Sequence, residues 1–232
     1  MATNARTILL VNPNTNHNTT AMMVELAKEA LDPAGLHVVG ITAPAGPPMI
    51  IDPDALATSA VHVREAVHRF LAGPDGGTVA GVMVAAIGDP GRRQLADELD
   101  IPVVGIGQGS IYAAAYASDG SPRRFAMATS TPLLVDALAG LVAAHGFLDQ
   151  FTGVRLTRSG PLDLAADPER QFLELADAVQ AATGTDGAQA VIIAGGPLSA
   201  TARRLAEATA VDIIQPIPSA CRLLLARLPQ PA

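Results

Sequence analysis

The sequence predicts an α/β protein of two similar lobes, each a mainly parallel sheet flanked by helices, with a ligand site in the cleft between them. Three observations predict it. The run Val82-Met-Val-Ala-Ala-Ile-Gly-Asp-Pro-Gly91 is an apolar strand that stops at a tight turn. Ala190-Val-Ile-Ile-Ala-Gly-Gly-Pro-Leu-Ser199 repeats that plan in the second half, and an amphipathic segment follows each, beginning near Arg92 and near Ala200. Strand and helix patterns alternate through both halves, which implies right-handed parallel crossovers. In open sheets of this kind ligands bind beyond the carboxyl ends of the strands, so the two glycine-rich loops are expected to face one site.

Each element has a local reason. Thr7 to Val11 is a β-branched and leucine run that Asn12-Pro13-Asn14-Thr15 terminates, since proline and asparagine favour a turn. Asn18, Thr19 or Thr20 can cap the helix that follows, whose apolar stripe is Met22, Met23, Leu26, Ala30 and Leu31. Leu36 to Ile41 is the second strand, and Thr42 to Pro53, interrupted by repeated prolines, reads as an active-site loop or lid. A helix from about Pro53 to Leu71 turns Leu56, Ala60, Val63, Val67 and Phe70 inward and leaves His62 and His68 on other faces. Ile101 to Gly107 is a strand ending in glycine, and Gln108-Gly-Ser110 opens a helix in which at least one of Tyr112 and Tyr116 is expected in the core.

The second half repeats the order. Phe125 to Thr129 ends in Ser130-Thr131-Pro132, in the position that Asn12 to Thr15 hold in the first half. A helix to about His145, a short strand Val154 to Leu156, and a loop from Thr157 to Pro168 follow. Then come the helix Pro168 to Thr183, the glycine-loop strand, the helix Ala200 to Ala208, the strand Val211 to Ile214 and a terminal helix Pro218 to Leu228. Composition turns polar between Ser118 and Arg124, so the lobes are placed at residues 1–118 and 119–232, with the terminal helix able to pack back across the first.

Composition narrows the function. Of 232 residues 49% are hydrophobic and few are aromatic, enough for a sizeable core beneath helices on both sheet faces. No apolar run approaches the ~18 residues of a membrane helix. Met1 to Arg6 lead into a strand without signal-peptide features, so a cytoplasmic location is expected, without a membrane partner. The net charge of −7 and the scattering of Lys and Arg argue against a nucleic-acid partner. The closest approaches to a basic cluster are Arg92-Arg93, Arg123-Arg124 and Arg203-Arg204. Cys221 is the only cysteine, so an intramolecular disulfide and a cysteine-based metal site are excluded, and no metal is expected. The expected partner is a small molecule, and the expected assembly a homo-oligomer.

Asn12-Pro-Asn-Thr15, Ala85-Ala-Ile-Gly-Asp-Pro-Gly91 and Gly195-Gly-Pro-Leu198, in that order, resemble the aspartate/glutamate/hydantoin racemase superfamily, and its hydantoin and allantoin racemase branch most of all. The resemblance spans nearly the whole chain. It implies a cofactor-independent enzyme with one catalytic cysteine in each half, one removing a proton from the carbon beside a carbonyl and the other returning it. This chain departs from the pattern at both places, with Ala86 and Gly196 where the family motifs carry cysteine.

Proton abstraction beside a carbonyl needs a placed base and hydrogen bonds to the developing enolate. By resemblance, backbone amides around Gly88 and Gly196, with Asn12, Asn14, Thr15, Thr129, Ser130, Thr131, Gly195, Pro197 and Ser199, form the binding cradle. Neither alanine nor glycine can carry the proton. The candidates to replace the thiols are His17, because imidazole suits proton transfer near neutral pH, and Asp89, whose turn position equally suits a structural cap. Ser199 reads as a helix cap, and Cys221 lies outside both loops. An enzyme with altered enolate chemistry, an isomerase, lyase or decarboxylase acting on a small carboxylate, amide or hydantoin-like substrate, is favoured over an inactive homologue that binds such a ligand. Positions 86 and 196 are expected to face each other across a gap on the order of 10 Å.

Overall fold

The computed structural model describes residues 6–229. The first sheet takes its form from β1 (Arg6–Asn12), six of whose seven residues are buried. A strand apolar on both faces belongs in the middle of a sheet, and β1 is flanked in parallel by β2 (Leu36–Thr42) and β3 (Val79–Val84), with β4 (Val103–Gly105) beyond β3. The second sheet repeats this order around β5 (Phe125–Thr129), wholly buried, with β6 (Phe151–Leu156), β7 (Ala190–Ile193) and β8 (Asp212–Ile214) in the corresponding places, all parallel.

Side chains alternate across each central strand and so split each lobe's core in two. Leu9 and Val11 face Val63, Val67 and Leu95 of α2 (Pro53–Leu71) and α3 (Arg92–Glu98). Ile8 and Leu10 face Met23 and Ala27 of α1 (His17–Leu31) together with Ile217, Ala220, Cys221 and Leu224 of α9 (Pro216–Arg227). In the second lobe Ala126 and Ala128 meet α7 (Pro168–Gly184) and α8 (Ser199–Ala208). Phe125 and Met127 meet α5 (Val135–Ala144) and, from the other half of the chain, Ile111, Ala114 and Ala115 of α4 (Ile106–Ala115).

The lobes therefore exchange helices. α4 leaves the first sheet and covers the second, and α9 leaves the second and covers the first. The two exchanged helices cross closely: a Cβ at Gly109 would lie 2.6 Å from Ala220 Cα. Only glycine permits that backbone approach.

Several local expectations are corrected. Asn16 caps α1, its side chain accepting from Thr19 N, because the helix already begins at His17. The segment from Thr157 to Pro168 is not all loop but contains a short helix, α6 (Pro161–Ala165). β6 begins at Phe151 and α9 at Pro216, both earlier than their patterns indicate, and a 3-10 turn at Pro132–Leu134 precedes α5. Neither Tyr112 of α4 nor Tyr116, just past its end, is in the core. Tyr112 and Tyr116 are 37% and 45% exposed and pack edge-on against Phe147, since the helix's inner face is taken by Ile111, Ala114 and Ala115. Among the described residues no helix is long and apolar enough to cross a membrane.

Candidate active site

Four strand ends converge on one partly open cavity. Asn14 enters from the β1 loop, Ala85 to Gly88 from β3, Thr129 to Thr131 from β5, and Ala194 to Leu198 from β7. The remaining wall is Met49 and Ile50 of the 43–52 segment, Leu56, Leu134, Pro161 and Ala165 of α6, and Gln171. The volume is about 60 Å³, several times the ~15 Å³ a single water needs. A small ligand fits.

The polar walls are held by hydrogen bonds that decide what each group can offer. Asn12, fully buried, donates through Nδ2 to Asn14 Oδ1 (2.9 Å), Asn16 O (3.0 Å) and Thr20 Oγ1 (3.0 Å). It is scaffold rather than wall. Asn14 Oδ1 also accepts from Asn16 N at 2.9 Å, so its oxygen is committed and its NH2 is the group left for a ligand. Thr129 Oγ1 donates to Ala194 O at 2.8 Å and lies 3.0 Å from Thr131 Oγ1, tying the β5 loop to the β7 loop. Thr15, half-buried, donates its amide to Pro47 O at 3.2 Å and fastens the proline-rich segment over the cleft.

Positions 86 and 196 both line the cavity. Space at 196 is tight: a Cβ there would stand 3.1 Å from Met23 Sδ and 3.2 Å from Ala85 O. Gly195 and Pro197 flank it in the same wall. Ser199 is buried as the first residue of α8 rather than its cap, and its Oγ donates to Gly196 O at 2.8 Å, bracing the loop from behind.

The two candidate acid–base side chains lie away from the cavity. His17 is exposed at the start of α1 and is not part of the wall. Asp89 follows the cavity residue Gly88 but turns outward, in a left-handed conformation (φ 49°). Its two carboxylate oxygens accept from Gly107 N (2.8 Å) and Gln108 N (2.6 Å), at the start of α4. A Cβ at Gly107 would meet Ile87 O at 2.1 Å, so a glycine is required for the loop and helix to come this close. Burial pushes the Asp89 carboxyl up to about 7, against the opposing pull of the Gln108 and Gly107 amides and of Arg92. Among the described residues, no Asp, Glu, His, Cys, Tyr, Lys or Arg lines the cavity.

Residues 8–224 match the sequence pattern of Asp/Glu/hydantoin racemases, nearly the full length of the chain. The chain belongs to the Asp/Glu/hydantoin racemase family. It is 29% identical over 221 residues to a hydantoin racemase from Rhizobium meliloti, covering 95% of this chain and 88% of that protein. Among solved structures, an allantoin racemase from Pseudomonas fluorescens superposes with a TM-score of 0.85 at 20% identity, covering 97% of this chain and 98% of that one. An allantoin racemase from Klebsiella pneumoniae gives a TM-score of 0.82 at 24% identity, covering 95% and 86%. The two-lobed α/β architecture is thus the fold of these racemases.

Sequence reading missed a large part of the cavity wall. Leu56 and Leu134 look like ordinary core residues of their helices. Gln171 sits in the first turn of α7, its Oε1 accepting from Thr201 Oγ1 at 2.6 Å. Pro161 and Ala165 fall in a segment whose helix is too short to leave a periodic signal. Met49 and Ile50 lie in a segment that did carry one, the proline density of a lid.

Proposed function

We propose that the inter-lobe cavity binds a small carboxylate, amide or imide through neutral hydrogen-bond donors, and that this racemase-family protein does not exchange a substrate proton between two side-chain bases. The observation that carries this reading is the cavity's lining: the NH2 of Asn14 and the Ser130 hydroxyl as donors, the hydroxyl oxygens of Thr129 and Thr131 with their protons already given away, and, among the described residues, no side chain that titrates near neutral pH. Two-base racemisation needs a proton carrier on each face of the reacting carbon. Positions 86 and 196, where the family motifs carry cysteine, hold methyl and hydrogen.

The cavity's chemistry also supports a second, catalytic reading. A substrate that loses carbon dioxide generates an enolate without a base, and buried donors can stabilise it. The proton then returns from water. The Ser130 hydroxyl beside the Asn14 NH2 favours this over any mechanism that begins by deprotonation.

Both readings meet one experiment. The protein is incubated in deuterium oxide with each enantiomer of a 5-substituted hydantoin, aspartate and glutamate, and with a malonate half-acid, while proton NMR follows α-deuteration and decarboxylation. The expected result is no exchange on either enantiomer. Rapid exchange on both would overturn the proposal. Decarboxylation without exchange would select the catalytic reading, and saturable calorimetric binding without product would select the binding one. A paired variant, Ala86→Cys with Gly196→Cys, is expected to introduce measurable exchange, limited by the Met23 thioether crowding position 196.

A further inference from the structure

The loop that supplies Ala85 to Gly88 to the cavity has a second surface. On its reverse side lies an open groove of about 510 Å³ between α3, the first turn of α4 and the end of α5, lined by Arg92, Arg93, Gln108 and His145. Two carboxylates, Asp89 and Asp97, share the wall. Asp89 is already engaged, since both its oxygens accept backbone amides of α4 and Arg92 Nε stands off at 4.0 Å.

Polar groups of this groove are left without hydrogen-bond partners. Arg92 Nε and His145 Nε2 are shielded within the wall and have no hydrogen-bond partner among the described residues. Arg93 is exposed and is in no ion pair among the described residues. Arg227 of α9 reaches the same wall, donating to Gln108 Oε1 at 3.3 Å. His145 is held edge-on by the Tyr112 ring, 5.7 Å between centroids. Burial, with Arg92 and Arg227 nearby, keeps its imidazole below the usual histidine range and hence largely uncharged at neutral pH.

In a chain of net charge −7, a groove walled by guanidinium groups is where an anion meets attraction. Guanidinium forks pair with the paired oxygens of carboxylates and phosphates, and partial burial strengthens the bond relative to the open surface. We propose that this groove is a second binding site, separate from the inter-lobe cavity, for a small oxyanion carried on a phosphate or carboxylate group. Arg92 and Arg93 supply the charge, with Gln108 and His145 as neutral hydrogen-bonding partners. The proposal does not depend on what the cavity binds.

Calorimetric titration of the full chain with inorganic phosphate, and separately with acetate, tests it. Saturable binding of at least one anion is expected, weakened about tenfold by Arg93→Ala, a change at an exposed side chain that spares the fold. Arg92→Lys, which keeps the charge but loses the fork, should weaken it by a smaller factor. Arg69→Ala, at the far end of α2, should leave it unchanged. Absence of saturable binding up to tens of millimolar, or binding equally indifferent to Arg93→Ala and Arg92→Lys, would overturn the proposal.

Discussion

Each lobe uses one buried carboxylate to hold a cavity loop, and the two behave in opposite ways. In the first lobe Asp89 ties the β3 loop to the first turn of α4. In the second, Glu174 on α7 ties the chain leading into α6. It accepts from Ser159 N and Ser159 Oγ, both at 2.7 Å, and from Arg170 Nε at 2.9 Å. The Ser159 bonds and the adjacent Arg170 pull the Glu174 carboxyl down to about 2, whereas burial pushes Asp89 up to about 7. Both carboxylates have backbone amide donors. The difference lies in the balance with burial: at Asp89 desolvation outweighs the two amides and the distant Arg92, whereas at Glu174 the two Ser159 bonds, aided by Arg170, outweigh it.

The largest way to break the comparison is Asp89→Ala. It strips the acceptor from two buried amides and leaves alanine at positive φ, and should cost about 2 to 4 kcal/mol in denaturant unfolding. Asp89→Asn keeps one acceptor and a residue tolerant of that φ, and should cost less.

The sharper test is pH. Because the folded-state value of Asp89 lies above the ordinary 3.8, its contribution to stability is fully present below about pH 4 and is lost as pH rises to about 7. Glu174 is the reverse. Its contribution is present above pH 4.5 and lost as pH falls toward about 2. Stability measured between pH 4.5 and 7 should therefore slope downward in the natural chain and flatten in Asp89→Asn, while Glu174→Gln should change only the acid limb. An unchanged slope in Asp89→Asn would contradict the assignment.

A smaller effect is expected where a hydroxyl performs the holding. Ser199→Ala removes the brace on Gly196 O and should cost about 1 kcal/mol, with thermal unfolding as the readout. The smallest concerns Cys221. Burial among α9 packing residues pushes its thiol up to about 12, so a thiol reagent at neutral pH should leave the folded protein unlabelled and react only once denaturant opens the first lobe.

Much of the candidate site could be read before the structure, because it lies on loops whose chemistry is local. Asn14, Thr129 to Thr131 and the two glycine loops announce themselves as turn residues directly after apolar runs. His17 and Asp89 misled for a physical reason. Proximity in sequence to a cavity residue says nothing of direction, and Asp89 turns away because α4 offers it two amides 18 and 19 residues further on.

What the sequence by itself determined is the succession of parallel strands, their burial on both faces and the polar loops at their carboxyl ends, since apolar runs and the Gly, Pro and Asn that interrupt them act over a few residues. Only the tertiary structure decided which lobe each helix covers, that Gly109 lets α4 and α9 cross and trade places, and that α6 closes the cavity with Pro161 and Ala165. Those outcomes depend on groups distant in sequence meeting at a contact surface, and no segment carries in its own pattern the shape of the partner it will meet.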